Sequence, residues 1–242
     1  MSYKVALIQL GHTQHLVDFQ SLRQWKSKLF SVVSLSCKDY MPESDVNDGY
    51  LDVKYSRDQL QSIVSCPSNC DFAVAIMPYR LTDNFYMHRI NDKCIVISLH
   101  GIAEILNQDN ISVEHFIIKQ IYEICALFHL MIAQNSDDPY GFLHIDTRGC
   151  LFDYNGERTD ILYNTEQPLL CEECKAKFKR GQVEQGFVVD LEKELKRIRK
   201  PLVLRIEKWI KSYPLLAVFI SIFTTIILNV IATVICNILF EK

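Results

Sequence analysis

His144, Cys150, Cys171 and Cys174 follow one another as H-x5-C-x20-C-x2-C. Imidazole nitrogen and thiolate sulfur are zinc ligands, and zinc takes four of them in a tetrahedron. A C-x2-C pair on a turn can offer two sulfurs to one ion, provided the chain loops back with two more ligands. The chain carries nine cysteines at uneven spacings. In a reducing compartment clustered thiols serve as metal ligands or as buried thiols rather than as disulfides. The expected cofactor is therefore zinc, held structurally by these four residues. The alternative is a set of reduced structural cysteines with His144 as an ordinary polar loop residue, because a single C-x2-C is not specific on its own.

Such a cluster must be positioned by the elements before it. Tyr3 to Leu10 (YKVALIQL), Leu29 to Cys37, Asp71 to Pro78 and Lys93 to Leu99 are short apolar runs rich in β-branched residues, and read as strands. His12 to Lys28 reads as a helix. Asp39 to Tyr55 reads as loop with a short edge strand at Tyr50 to Val53, and Leu81 to Asn91 as loop. Ser56 is placed to cap a helix over Arg57 to Ser65, and Gly101 to Leu106 is a short helix. Ser112 opens a long helix to Ala133, with Ile117, Ile118, Ile121, Ile124, Cys125, Phe128 and Ile132 on one face. From Asp137 to Gly181 turn residues and cysteines take over. Strands with helices between and after them make an α/β domain.

The residues His144, Cys150, Cys171 and Cys174, with Gly141 ahead of them, resemble the archaemetzincins. That family of zinc metalloproteases has the signature HExxHxxGxxHCx4C, followed further on by CxxC. Its first part binds a catalytic zinc and its cysteines a structural one. The resemblance covers about Gln134 to Lys177 and implies a metzincin-like mixed sheet with a small Cys/His metal-binding loop region. The departures decide the chemistry implied. The first histidine position is Gln134, the glutamate Asn135, the second histidine Asp138 and the first motif cysteine Ile145. A zinc hydrolase needs three protein ligands, an open fourth position and a general base. An amide cannot take a proton near neutral pH. No HExxH occurs elsewhere in the chain. No catalytic residue is therefore assigned, and His144 beside Ile145 is expected to complete the structural site.

Other candidates have plainer readings. His100 and Glu104 lie i,i+4 on a helix and read as a surface or cap pair. Glu123 and His129 do not share a face well. Cys66 and Cys70 read as buried or turn thiols, with a second metal site as the alternative. His12 and His15, after the first strand, and Tyr79, Arg80 and Tyr86, after the third, could line a ligand pocket where α/β domains often have one. There is no Gly-rich phosphate loop and no G-x-S-x-G.

The end of the chain is of another kind. Pro214 to Phe240 carries no charge, and Leu215 to Phe240 as a helix is about 39 Å long, against a bilayer core of about 30 Å. Ala217, Ser221, Thr225, Asn229, Thr233 and Asn237 recur along it at every fourth residue. Small and polar residues let membrane helices approach and hydrogen-bond. Ahead of the span lie Lys193, Lys196, Arg197, Arg199, Lys200, Arg205, Lys208 and Lys211, with Trp209 and Tyr213 at the boundary. That placement predicts contact with anionic lipids of the inner leaflet and a domain on the cytoplasmic side. MSYKVALIQL reads as a strand rather than a secretory signal. A net charge of −3 gives no general basic surface for nucleic acid.

The expected organisation is a cytoplasmic metzincin-like α/β domain over 1–183 with a zinc loop at 144–174. A basic amphipathic helix over 187–213, bent at Pro201, leads to a single C-terminal transmembrane helix over 214–240 in the cell membrane. The expected function is a catalytically inactive sensing or docking module. Its span self-associates as a membrane effector, with a second copy or a cytoplasmic protein as partner, in the manner of prokaryotic antiviral defence. The alternatives are an active membrane-anchored zinc metallopeptidase and a passive tail-anchored adaptor.

Overall fold

The computed structural model describes residues 2–46, 52–134, 143–144 and 148–240. The chain divides into two units, Met1–Arg199 and Lys200–Lys242. The first contains β1 (Tyr3–Leu10), α1 (Phe19–Gln24), β2 (Phe30–Lys38), β3 (Lys54–Tyr55), α2 (Arg57–Ile63), β4 (Phe72–Met77), β5 (Arg80–Leu81), β6 (Met87–Arg89) and β7 (Cys94–Ser98). It continues with α3 (Ile102–Gln108), α4 (Val113–Gln134), α5 (Ile161–Glu166), α6 (Glu172–Arg180) and α7 (Gln185–Leu195). The second contains α8 (Leu202–Ser212) and α9 (Pro214–Phe240).

The main sheet runs β2-β1-β4-β7-β6. Its first four strands are parallel and β6 is antiparallel to β7, so the sheet is mixed. Alternate side chains leave a strand on opposite faces. Val5 and Leu7 of β1, Val74 and Ile76 of β4, and Ile95 and Ile97 of β7 join Phe116, Ile117 and Ile121 of α4 in one core. Ala6, Ile8, Ala73, Ala75 and Val96 face the other way, onto Tyr55, Leu60 and Val64. Both faces are covered, as a parallel sheet requires.

α4 is the long helix expected from its periodicity. Ser112 precedes it and its Oγ accepts from the His115 amide at 3.4 Å. Its inner face also carries charge. Lys119 and Glu123 are fully buried one turn apart, Nζ to Oε2 at 3.0 Å, and Lys119 Nζ also reaches Gln120 Oε1 at 3.2 Å. Burial pushes the Glu123 carboxyl above the ordinary range, against the pull of Lys119.

Tertiary contacts reshape several expected elements. The helix expected over 12–28 is only α1, because Asp18 caps it by accepting from the Gln20 and Ser21 amides at 2.9 and 3.1 Å. The residues after it are drawn to α7. Ser27 Oγ and the Lys28 amide both donate to Glu194, at 2.5 and 2.7 Å, and Tyr122 Oη does so at 2.6 Å. Within the expected loop 81–91, Met87–Arg89 pairs with Ile95–Ile97 as β6. Of the edge strand expected at 50–53, Tyr50 and Leu51 lie outside the described residues. Asp52 and Val53 are not strand, and the strand begins after them as β3, Lys54–Tyr55, parallel to β5.

The single amphipathic helix expected over 187–213 is two helices. α7 belongs to the first unit, burying Phe187, Leu191, Glu194 and Leu195. α8 starts anew with Pro201 at its N-cap. A proline ring holds the residue before it out of the helical region and has no amide to donate, so it suits a helix start. α8 leaves Leu202, Val203, Ile206, Trp209, Ile210 and Tyr213 exposed along one face. α9 is apolar and long enough to cross a membrane, and none of its Pro214–Ile235 window is buried.

Candidate metal centre

Three short pieces of backbone bring the four expected ligands together. His144 lies on a strand-like piece bridged to Asp153, with its amide donating to Phe152 O at 3.2 Å. Cys150 lies on the turn between them, where Gly149 adopts φ +87°. A left-handed backbone is open to glycine at little cost. Cys150 is in turn bridged to Leu169, whose amide donates to Gly149 O at 3.0 Å. Cys171 is the N-cap of α6 and accepts from the Cys174 amide at 3.4 Å, so the C-x2-C pair occupies the first turn of a helix.

The side chains converge. His144 Nε2 is 3.2 Å from Cys150 Sγ, 3.1 Å from Cys174 Sγ and 3.5 Å from Cys171 Sγ. Cys150 and Cys174 sulfurs are 3.7 Å apart. A Zn–S bond of about 2.3 Å places sulfurs about 3.8 Å apart around a tetrahedron. All four donor atoms lie within 4.8 Å of one another. Cys150 and Cys174 are buried, while His144 and Cys171 are partly exposed. Cys150 and Cys174 share a hydrogen bond between their sulfurs. The hydrogen bond from Cys174 pulls Cys150 down to about 5. The same contact, with burial, pushes Cys174 up. A divalent cation replaces such a proton on binding.

Three sulfurs and one imidazole suit zinc in a closed, structural site. His144, Cys150, Cys171 and Cys174 would hold the ion, and all four positions would be protein. Bound there, zinc would tie the 144–155 turn to the start of α6. The positions laid on the first part of the protease signature fare differently. α4 ends at Gln134, and Asn135, Asp138, Gly141 and Ile145 lie outside the described residues.

The other candidates do not assemble. Glu123 is paired with Lys119, and His129 instead stacks on Phe187 at 4.0 Å and meets Tyr3 Oη at 3.3 Å. His12 and His15 are exposed. Tyr79 packs over Gly11 and Tyr55, Arg80 donates to Asn84, and Tyr86 accepts from Asn155. Among the described residues Cys66 and Cys70 belong to no metal-competent group. Asp153, which is buried beside the metal loop and bridges to His144, was not singled out by its sequence context. A lone acid in a turn carries no signal of burial.

A mixed α/β domain with a closed Cys/His cluster and an apolar C-terminal helix is what the fold and site define. In its motif spacing the cluster is archaemetzincin-like. No family model matches the chain, and no curated protein does. Among solved structures, the archaemetzincin of Methanopyrus kandleri is similar over 76% of this chain and 97% of its own, at 14% identity and a TM-score of 0.49.

Proposed function

We propose that the first unit is a catalytically silent, zinc-stabilised sensing or docking module and that α9 is its membrane output. The observation that carries this reading is the direction of His144. Its Nε2 faces three cysteine sulfurs, so the one histidine retained from the protease signature is committed to a closed site. Gln134, Asn135 and Asp138 stand where two more histidines and a glutamate would be needed. The test is zinc content together with peptide cleavage by the purified full chain. One zinc per chain and no cleavage are expected. Two metals per chain with cleavage would replace this reading by the active metallopeptidase.

On the membrane side, the reading places the first unit in the cytoplasm and α8 in the headgroup layer of the inner leaflet. Support comes from the exposed apolar face of α8 and from Arg205, Lys208 and Lys211 on the same helix. An amphipathic helix with basic flanks lies in the interface plane. Trp209 emission, taken as the difference from Trp209→Phe, should be quenched by brominated lipid, more strongly in anionic than in zwitterionic vesicles. Equal quenching in both would remove the anionic preference.

For α9 we propose self-association along Ala217, Ser221, Thr225, Asn229, Thr233 and Asn237. A triggered assembly of this kind would permeabilise the membrane, as an antiviral, abortive-infection effector does. The passive anchor is the competing reading, and one observation favours it. Thr225 and Thr233 hydroxyls donate to Ser221 O and Asn229 O of their own helix at 2.9 Å. Full-chain expression with a potential-sensitive dye separates the two. Depolarisation that Asn229→Leu suppresses supports the effector, and growth without depolarisation under every trigger tried supports the anchor.

A further inference from the structure

The first unit holds a cavity of about 220 Å³ between β6, α4 and the metal loop. A dry void of about 150 Å³ already admits benzene. Met87, Ile95, Ile124, Leu127, Phe128 and Leu143 make its walls apolar. Two carboxyl groups also line it, Glu123 and Asp153. Glu123 is answered by Lys119 at 3.0 Å. Asp153 is only 4% exposed. Its Oδ1 accepts from the Asn155 amide at 3.1 Å, and its Oδ2 has no hydrogen-bond partner among the described residues. A buried carboxylate oxygen left without a donor is costly, and such groups find partners in folded proteins.

The cations of the lining, His88 and Arg89, do not answer it. His88 Nε2 is 2.6 Å from Asp83 Oδ2. Arg89 is 3.3 Å from Asp92, donates to Asn91 O, and lies over the Phe128 ring. The lining thus holds one buried carboxyl oxygen, Asp153 Oδ2, that neither His88 nor Arg89 fills.

We propose that this cavity binds a small organic cation, an apolar body carrying a single ammonium group, with the ammonium received by Asp153 Oδ2. The apolar walls take the body by burial, and the carboxylate takes the head by a charge-assisted hydrogen bond. Asp153 also ties the cavity to the metal loop. It is bridged to His144, and its amide donates to Cys150 O at 3.2 Å. A ligand there touches the residue that stands between two metal ligands. The inference deepens the sensing reading above and rests on it in treating the cation as a trigger.

The experiment titrates the zinc-loaded full chain, in zwitterionic nanodiscs, with 2-phenylethylamine and with 2-phenylethanol, by calorimetry. The amine is expected to bind one per chain, about tenfold or more tighter than the alcohol, the scale of one charge-assisted hydrogen bond. Asp153→Asn should erase that preference while keeping the zinc. Leu127→Trp, which fills the void, should lose both ligands. Equal affinity for amine and alcohol, a preference that survives Asp153→Asn, or no binding would each overturn the site. Because the wild-type comparison decides alone, a variant that fails to fold leaves the proposal open to refutation. Oligomer mass measured in the same titrations separates the two ideas. Amine binding with unchanged mass keeps the site and sinks the sensing reading, and no amine binding removes the site alone.

Discussion

α4 and α9 are both long and apolar enough to cross a membrane by length and composition, yet the segment Val113–Ile132 is 72% buried in its own unit and Pro214–Ile235 is not buried at all. The polar residues explain the difference. α4 places Lys119, Gln120 and Glu123 together on its inner face, where Lys119 Nζ donates to both Gln120 Oε1 and Glu123 Oε2. α9 spaces its polar residues one turn apart, each step turning about 40° around the axis, and its threonines bond to their own backbone. Concentrated polarity marks a helix whose partners come from its own domain. Diluted, self-satisfied polarity marks a helix that lipid can surround.

That contrast can be broken by charge first. Lys119→Met would leave the Glu123 carboxyl buried without its cation, a cost of about 3–5 kcal/mol. Urea unfolding of the full chain should show the loss, and Lys119→Met with Glu123→Leu should recover most of it. No such pair exists in α9 to break, since the span holds no charged residue.

A second, smaller effect follows from pH. Burial raises the Glu123 carboxyl in the folded state. A group raised on folding contributes stability that is full below its ordinary value and is lost as pH rises through the folded one. The melting temperature should therefore fall over that window, and Glu123→Gln should flatten the slope. A slope unchanged in Glu123→Gln would assign it to other groups.

In α9 the expected effects are smaller again and fall on association rather than folding. Asn229→Leu should weaken self-association by about 0.6 to 2 kcal/mol, read by energy transfer between labelled chains in bilayers, with insertion unchanged. Thr225→Leu should do less, because the Thr225 hydroxyl is already bonded to Ser221 O. A larger loss at Thr225 than at Asn229 would mean that close approach, not hydrogen bonding, holds the helices.

Much of this was legible in the sequence for a physical reason. β1, β2, β4 and β7 are short, mainly apolar runs that each hold Val or Ile, and α4 has a helical apolar face, so burial wrote them into composition and period. The four residues of the Cys/His cluster were legible because imidazole and thiol side chains at those spacings can converge on one ion. Three features were not. β6 is three residues long, too short to show an alternation, and exists because β7 offers it a partner. α7 reads as the start of a membrane approach, and the structure ties it to the domain through buried Phe187, Leu191 and Leu195 and through Glu194, which accepts from Ser27, Lys28 and Tyr122. The Asp153 carboxylate is ordinary in a turn until the fold buries it.

The central claim is that His144 is spent on a closed cluster instead of serving an open, catalytic one. X-ray absorption at the zinc edge of the purified full chain tests it most directly. One zinc per chain is expected, with three sulfur neighbours at about 2.3 Å and one nitrogen at about 2.0 Å. A site richer in nitrogen and oxygen, or a second zinc bound without sulfur, would contradict it.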